Sequence, residues 1–269
     1  MQAMAMTHNA FIDGDQFAQK LLIEGMGGGT WFGTGFVLDQ CGRRWLMTCW
    51  HVLEPHKSNF AGIVDAKTIT FVNPQGPSID LQNGRAIVGI RLNGIQVDCA
   101  AIELGAGESP SGPRFDADLQ MNHEGFPQYA EISIHGKGGG DGILLPVLAH
   151  YMAQGFPGTD VDAKAVTMHC VTVEGLPKAH PSMIAYYPAG GQGFSGGPLI
   201  RVDGTTGNLA GIHVHTYNAM LQLNGRNDRT QEPMTVDVGS ASGGAAPIQP
   251  LIDAMGQVQA GTQIIDLPL

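Results

Sequence analysis

The octapeptide Gly191–Pro198, GQGFSGGP, carries the strongest chemical signal in the chain. A serine hydroxyl attacks a carbonyl efficiently only where backbone N–H groups face the oxyanion that develops, and a glycine two residues before the serine lets the backbone turn to supply one. Gly193 and Ser195 are the donors this reading assigns. Glycines at 196 and 197 remove Cβ atoms where a substrate and a neighbouring strand must come close. At neutral pH the hydroxyl also needs a base within hydrogen-bond reach. His51 is the candidate, because in TCWHVLEP it follows the end of an apolar strand and is presented on a short turn. The base in turn needs an acid to hold its tautomer, and Asp98 interrupts the apolar run IQVDCAAIEL, where a carboxylate is otherwise expensive to place. Asp65, Asp80, Asp116 and Asp118 lie in polar, turn-like stretches where a solvated carboxylate is the ordinary state. Taken singly, each signal also has a plain structural reading: a glycine-rich turn that contains a serine, and a histidine at a strand end.

Elements that could position these residues recur at short intervals. The runs Lys20–Glu24, Trp31–Leu38, Arg43–Thr48, Thr68–Val72, Arg85–Leu92 and Val97–Leu104 predict about six strands, enough for one closed barrel. The pattern lapses in GAGESPSGPRFDAD, between Gly105 and Asp118, which marks an exposed connection. A second set follows at Ala130–His135, Gly142–Leu148, Ala165–Val173, Met183–Tyr187, Gly197–Val202 and Leu209–Thr216. The expected fold class is therefore all-β: two six-stranded antiparallel β-barrels, with residues 1–110 carrying His51 and Asp98 and residues 111–269 carrying Ser195. The polar, glycine-rich stretch Asn218–Ala245 reads as an exposed hairpin or loop beside the last strand. In PIQPLIDAMGQVQ, Ile248, Leu251, Ile252, Met255 and Val258 fall at helical spacing and predict a short C-terminal helix.

Composition narrows the function classes. Hydrophobic residues make up 43% of the 269 and charged residues 14%, and there are 39 glycines, a profile of short strands joined by tight turns. The formal charge of −10 has the wrong sign for binding nucleic acid or an anionic membrane, which takes clustered Lys and Arg. Cys41, Cys49, Cys99 and Cys170 form no CxxC pair and no zinc-like spacing, so they read as reduced, mostly buried thiols. The N-terminal stretch Met1–Phe17 has no basic segment followed by an apolar core, and no run is long enough for a membrane helix. The expected location is cytoplasmic.

In order along the chain, GTGFVL, WLMTCWHV, VDCAAIEL, GFSGGPLI and GIHVHT resemble the motifs of the trypsin-like (chymotrypsin-fold) serine peptidases. The resemblance covers about Trp31 to Thr216. It implies an endopeptidase in which Ser195 is acylated, His51 serves as base and then acid, Asp98 orients it, and Gly193 and Ser195 form the oxyanion hole. It implies no metal or cofactor, a protein or peptide substrate, and a side-chain pocket walled by Ala189, Gly190, His213, Val214 and His215. Trp50 departs from the family, which usually has small residues before the histidine, and could crowd the site or cover the base.

GIHV further resembles the matching strand of glutamyl endopeptidases and picornain-like peptidases, in which that histidine recognises Glu or Gln. Those families place a hydroxyl residue five positions before the nucleophile, where this chain has Gly190. A strand histidine satisfied by its neighbours is the alternative. Ala189 argues against Arg or Lys preference, since a buried acid is what pairs with those bases. His213 and His215 share a strand face but lack an evident third metal ligand. Phe194 stands where secreted members carry the Asp that answers zymogen cleavage, so restraint falls to an activating or inhibitory protein partner, the 218–245 stretch, or narrow specificity. The competing function is a catalytically silent peptide-binding module on the same scaffold.

Overall fold

The computed structural model describes residues 16–268 apart from 41, 56–63, 83, 116–118, 121–125, 134–141, 159, 161, 204–205, 227–232 and 238–241. The first strands are β1 (Gln19–Gly25), β2 (Thr30–Gln40), β3 (Arg43–Thr48), β4 (Ala66–Asn73), β5 (Gln75–Asp80), β6 (Ile87–Leu92) and β7 (Ile95–Leu104). The next are β8 (Leu119–Gln120), β9 (Tyr129–Ser133), β10 (Gly142–Gly155), β11 (Val166–Val173), β12 (Ile184–Tyr186) and β13 (Pro198–Asp203). They are followed by β14 (Thr206–Tyr217), β15 (Met220–Arg226), β16 (Pro233–Asp237), β17 (Ser242–Pro247) and β18 (Thr262–Leu267). The helices among the described residues are α1 (Trp50–Leu53) and α2 (Ile248–Met255), and neither is long and apolar enough to cross a membrane.

Two large sheets form, in the orders β18-β6-β7-β3-β2-β1-β4-β5 and β11-β10-β13-β14-β17-β12, with β8 added to β14 and β9 to β10. The first sheet wraps an apolar core that includes Leu21, Ile23, Phe36, Leu46, Ile69 and Phe71, all fully buried. That core continues into the second sheet through Ile212, Val214 and Ala246, so the two halves meet across apolar side chains. The double contact explains β7: Cys99, Ala100, Ala101 and Ile102 are all buried, because one face looks into the first sheet's core and the other toward the second sheet.

The two-barrel, all-β architecture agrees with the sequence reading, and several edges differ from it. The first sheet gains β5 and β18, and the second gains β8 and β17, so the count is above six per sheet. The largest difference is β18, which pairs in parallel with β6 from Thr262↔Ile87 to Leu267↔Leu92. The chain therefore returns to the first sheet after α2, and its last strand does not lie with the remainder of 111–269. Helix α2 makes the return possible: Ile248, Leu251, Ala254 and Met255 are buried, and the helix packs against β14 of one sheet and β6 of the other. The 105–118 connection is mostly exposed over residues 105–115, as its composition suggests, but it is anchored at two points. Phe115 is buried, stacks on Phe17 at 4.3 Å and bridges to Leu38. Arg85 holds Glu108 through two hydrogen bonds of 2.6 and 2.7 Å, which keeps that carboxyl below the usual carboxylate range. Within 218–245 the hairpin β15–β16 forms as expected, but β17 enters the second sheet between β14 and β12. The 1–15 segment lies outside the described residues, as does Cys41; the remaining cysteines are free and buried.

Candidate active site

His51 sits on α1, a single turn that begins as soon as β3 ends, and Asp98 sits near the start of β7, the strand that pairs with β3. The pairing brings them together. The Asp98 carboxylate takes the His51 ring through Nδ1···Oδ2 at 2.6 Å and the His51 backbone N–H through N–H···Oδ1 at 2.9 Å. A carboxylate accepts, so the proton of the ring contact resides on Nδ1 and Nε2 is left as the basic nitrogen. Two-point attachment fixes both the turn and the ring. Trp50, the unusual neighbour, neither crowds the site nor covers the base. Its ring is fully buried over Gly89, and its Nε1–H donates to Glu54 at 2.9 Å.

Ser195 comes from the second sheet, on the loop between β12 and β13. Its hydroxyl donates to the Val214 carbonyl at 3.1 Å, and no hydrogen bond joins it to His51. Val214 is free to accept because the β14–β17 register shifts between His213 and His215, so the residue between them is the extra one of a bulge. His51, Asp98, Ser195 and the β14 segment His213–Thr216 line one cleft of about 350 Å³.

The loop backbone is held on several sides. The Gly158 N–H donates to the Gln192 carbonyl at 2.7 Å; a trans peptide points its C=O and N–H to opposite sides, so the Gly193 N–H is turned away from Gly158. Among the described residues neither the Gly193 nor the Ser195 N–H donates to a protein group, so both are left unused by the fold. The Gly196 N–H donates to the His213 carbonyl, and the His213 N–H to the Gly197 carbonyl, each at 2.8 Å. Gly196 has φ +92° and a Cβ there would lie 1.9 Å from the Thr34 carbonyl oxygen, so only glycine fits.

His213 is buried, its backbone braces the serine loop, and it is among the residues that line the cleft. Burial lowers its pKa to about 3, and His215 and His51 push the same way. Its Nδ1 is hydrogen-bonded to the hydroxyl of Tyr186, whose own pKa burial raises. His215, half-buried, is also lowered, by burial first. The cleft wall on the serine-loop side begins at Gly191 and Gln192, one step beyond the expected Ala189 and Gly190. The reason is Phe194: its buried ring lies over Gly190, where a Cβ would come within 2.4 Å of it. A hydroxyl side chain therefore has no room at 190, and Tyr186 supplies the hydroxyl that meets His213 instead. Sequence reasoning missed Tyr186, and also Gln192, Thr216 and Thr34, whose chemistry depends on strands that meet only after folding.

Cys49 Sγ, His51 and Asp98 offer ligand atoms within 4.8 Å of one another. The thiol is fully buried, donates to the His213 carbonyl at 3.0 Å, and has its pKa pushed up by burial. It acts as core packing beneath the histidine.

No protein-family model matches this sequence, and no curated protein is found similar to it. Solved structures are. Protease Anisep from Arthrobacter nicotinovorans matches with a TM-score of 0.51 at 11% identity, over 92% of this chain and 97% of that one. A thermostable serine protease, AL20, from an extremophilic microorganism matches with a TM-score of 0.50 at 13% identity, over 91% and 99%. A serine endoprotease from Yersinia pestis gives 0.48 at 16% identity over 90% of this chain, which spans 62% of that protein's length. Identities this low speak for the fold alone, a chymotrypsin-like double β-barrel.

Proposed function

We propose that this chymotrypsin-like double barrel is a serine endopeptidase. Ser195 attacks the scissile carbonyl, His51 Nε2 takes the hydroxyl proton and returns it to the leaving amine, and Asp98 holds the imidazole. The Gly193 and Ser195 N–H groups receive the oxyanion, and water then releases the acyl group from Ser195. The observation that carries this reading is the two-point hold of Asp98 on His51, facing the same cleft as Ser195. The hydroxyl must rotate from the Val214 carbonyl to His51, a single side-chain torsion on a fast timescale.

The pocket chemistry favours Gln, and next Glu, before the scissile bond. With the Tyr186 hydroxyl donating to Nδ1, His213 carries its proton on Nε2 and offers it to a side-chain carbonyl. A ring this hard to protonate supplies no positive charge, so an amide is accommodated more cheaply than a buried carboxylate. Ala189 offers no acid to hold Lys or Arg.

The test is intact mass after incubation with a fluorophosphonate, with Ser195→Ala as control. Rapid single labelling of the parent and none of the variant is the expected result; absence of labelling in the parent would overturn the enzyme reading. A peptide library with Gln, Glu, Leu or Arg before the scissile bond then reads the pocket, and Arg or Leu as the best residue would remove the His213 assignment. The resting contact of Ser195 with Val214 favours one competing reading, a peptide-binding module in which the hydroxyl never reaches His51. That reading expects peptide binding without labelling.

A further inference from the structure

We propose that Thr34 is a positioning residue for the oxyanion hole, acting from the first sheet on a loop of the second; this deepens the peptidase reading and rests on it. Thr34 lies on β2 and is fully buried. Three of its atoms are engaged at the junction of the two halves. Its Oγ1–H donates to the Gly193 carbonyl at 2.6 Å, its backbone N–H donates to the Ser195 carbonyl at 3.1 Å, and its own carbonyl accepts from Thr48 Oγ1 at 2.8 Å.

The loop needs such a hold. Gly191 and Gly193 flank Gln192, and Gly193 stands at φ +96°, so the backbone there can turn its peptides over at little steric cost. Turning the 192–193 peptide would reverse the directions of the Gly193 N–H and the Gln192 carbonyl, and with them the donor assigned to the oxyanion. Gly158 N–H holds that peptide directly through the Gln192 carbonyl, and Thr34 fixes the peptides that follow it, its Oγ1–H on the Gly193 carbonyl and its N–H on the Ser195 carbonyl, so Gly193 is held on both sides. Only the Thr34 hydroxyl is a side-chain group, so it is the contact that a substitution can remove without altering the chain's path. Thr48 Oγ1–H holds the Thr34 carbonyl and so fixes the β2 backbone that carries the hydroxyl. Each donor aimed at the oxyanion is worth about 10²–10³ in kcat, and a residue that keeps one aimed inherits part of that worth.

The experiment compares the parent with Thr34→Val, which keeps the β-branched shape and loses the donor, and Thr34→Ser, which keeps the donor. Three readings are taken: peptide hydrolysis, thermal unfolding, and hydrogen–deuterium exchange of the 190–196 segment. Thr34→Val is expected to lower kcat by about 10- to 100-fold with KM within about 3-fold. The pH profile of the His51 limb stays in place, and exchange across 190–196 rises. Thr34→Ser is expected to return kcat to within about 5-fold of the parent, because the oxyanion donor is again held. The proposal falls if Thr34→Val leaves both kcat and exchange unchanged, or if Thr34→Ser is as impaired as Thr34→Val, which would assign the effect to the methyl group. If the parent neither labels nor cleaves, the peptidase reading has failed on its own, and the exchange arm still decides whether Thr34 holds the loop.

Discussion

The two walls of the cleft are built by different means. On the first, His51 stands on the helical turn that follows β3 and Asp98 on the strand paired with β3, and the two are joined directly, side chain to side chain and side chain to backbone. On the second, the Ser195 loop has few side chains and is fixed through its peptide groups, by Gly158, by His213 and, across the junction, by Thr34. A wall held by side chains is open to chemical substitution with its path intact. A wall held by backbone contacts tolerates almost no added atom, which is why glycines cluster there.

The contrast is broken most severely by Asp98→Asn. The side-chain oxygen that accepts from the His51 backbone N–H survives in the amide, but the amide cannot fix the required tautomer, so kcat is expected to fall by about 10⁴-fold while urea unfolding shifts by less than about 1 kcal/mol. An unfolded variant, or one with near-parental kcat, would show that the first wall is not held as described. Gly196→Ala should behave in the opposite manner. Its methyl meets the Thr34 carbonyl, so urea denaturation should show a loss of about 3 kcal/mol or more, together with loss of fluorophosphonate labelling. A folded, labelled Gly196→Ala would mean that the loop has slack the geometry does not display.

The most gradual effect concerns His213, whose backbone braces the serine loop and whose ring meets Tyr186. Its folded pKa lies below the unfolded value, so the unfolded chain binds the extra proton between about pH 6.5 and pH 3. Stability from this residue is present above pH 6.5 and is lost as the pH falls through that window, by up to about 1.4 kcal/mol per pH unit. Thermal unfolding across pH 3.5–7 should therefore show a flatter slope for His213→Gln than for the parent. Equal slopes would place the imidazole in contact with solvent.

Much of this was legible in the residues themselves. Asp98 within an apolar run, His51 at a strand end and GQGFSGGP each declare a local cost or freedom, and the structure brings all three to one cleft. The strands predicted from alternation appear at β1, β2, β3, β4, β6 and β7 with small boundary changes. Strand β17, SGGAAP, escaped notice because nothing in its composition favours a strand; its place between β14 and β12 comes from neighbours that supply the ladder. Strand β18 shows alternation in TQIIDL, yet a parallel partner far earlier in the chain has no local signature. Gly190, which differs from the glutamyl endopeptidase pattern, and Phe194, which differs from that of the secreted members, form one packing pair, which single positions could not reveal.

Residue types and their near neighbours were enough to pick out a candidate nucleophile, base, acid and permissive glycines. What holds them in place came from contacts between distant parts of the fold. Thr34 under Gly193, Tyr186 on His213 and β18 beside β6 join positions far apart in the chain, and such contacts arise from sheet register and from packing between the two halves.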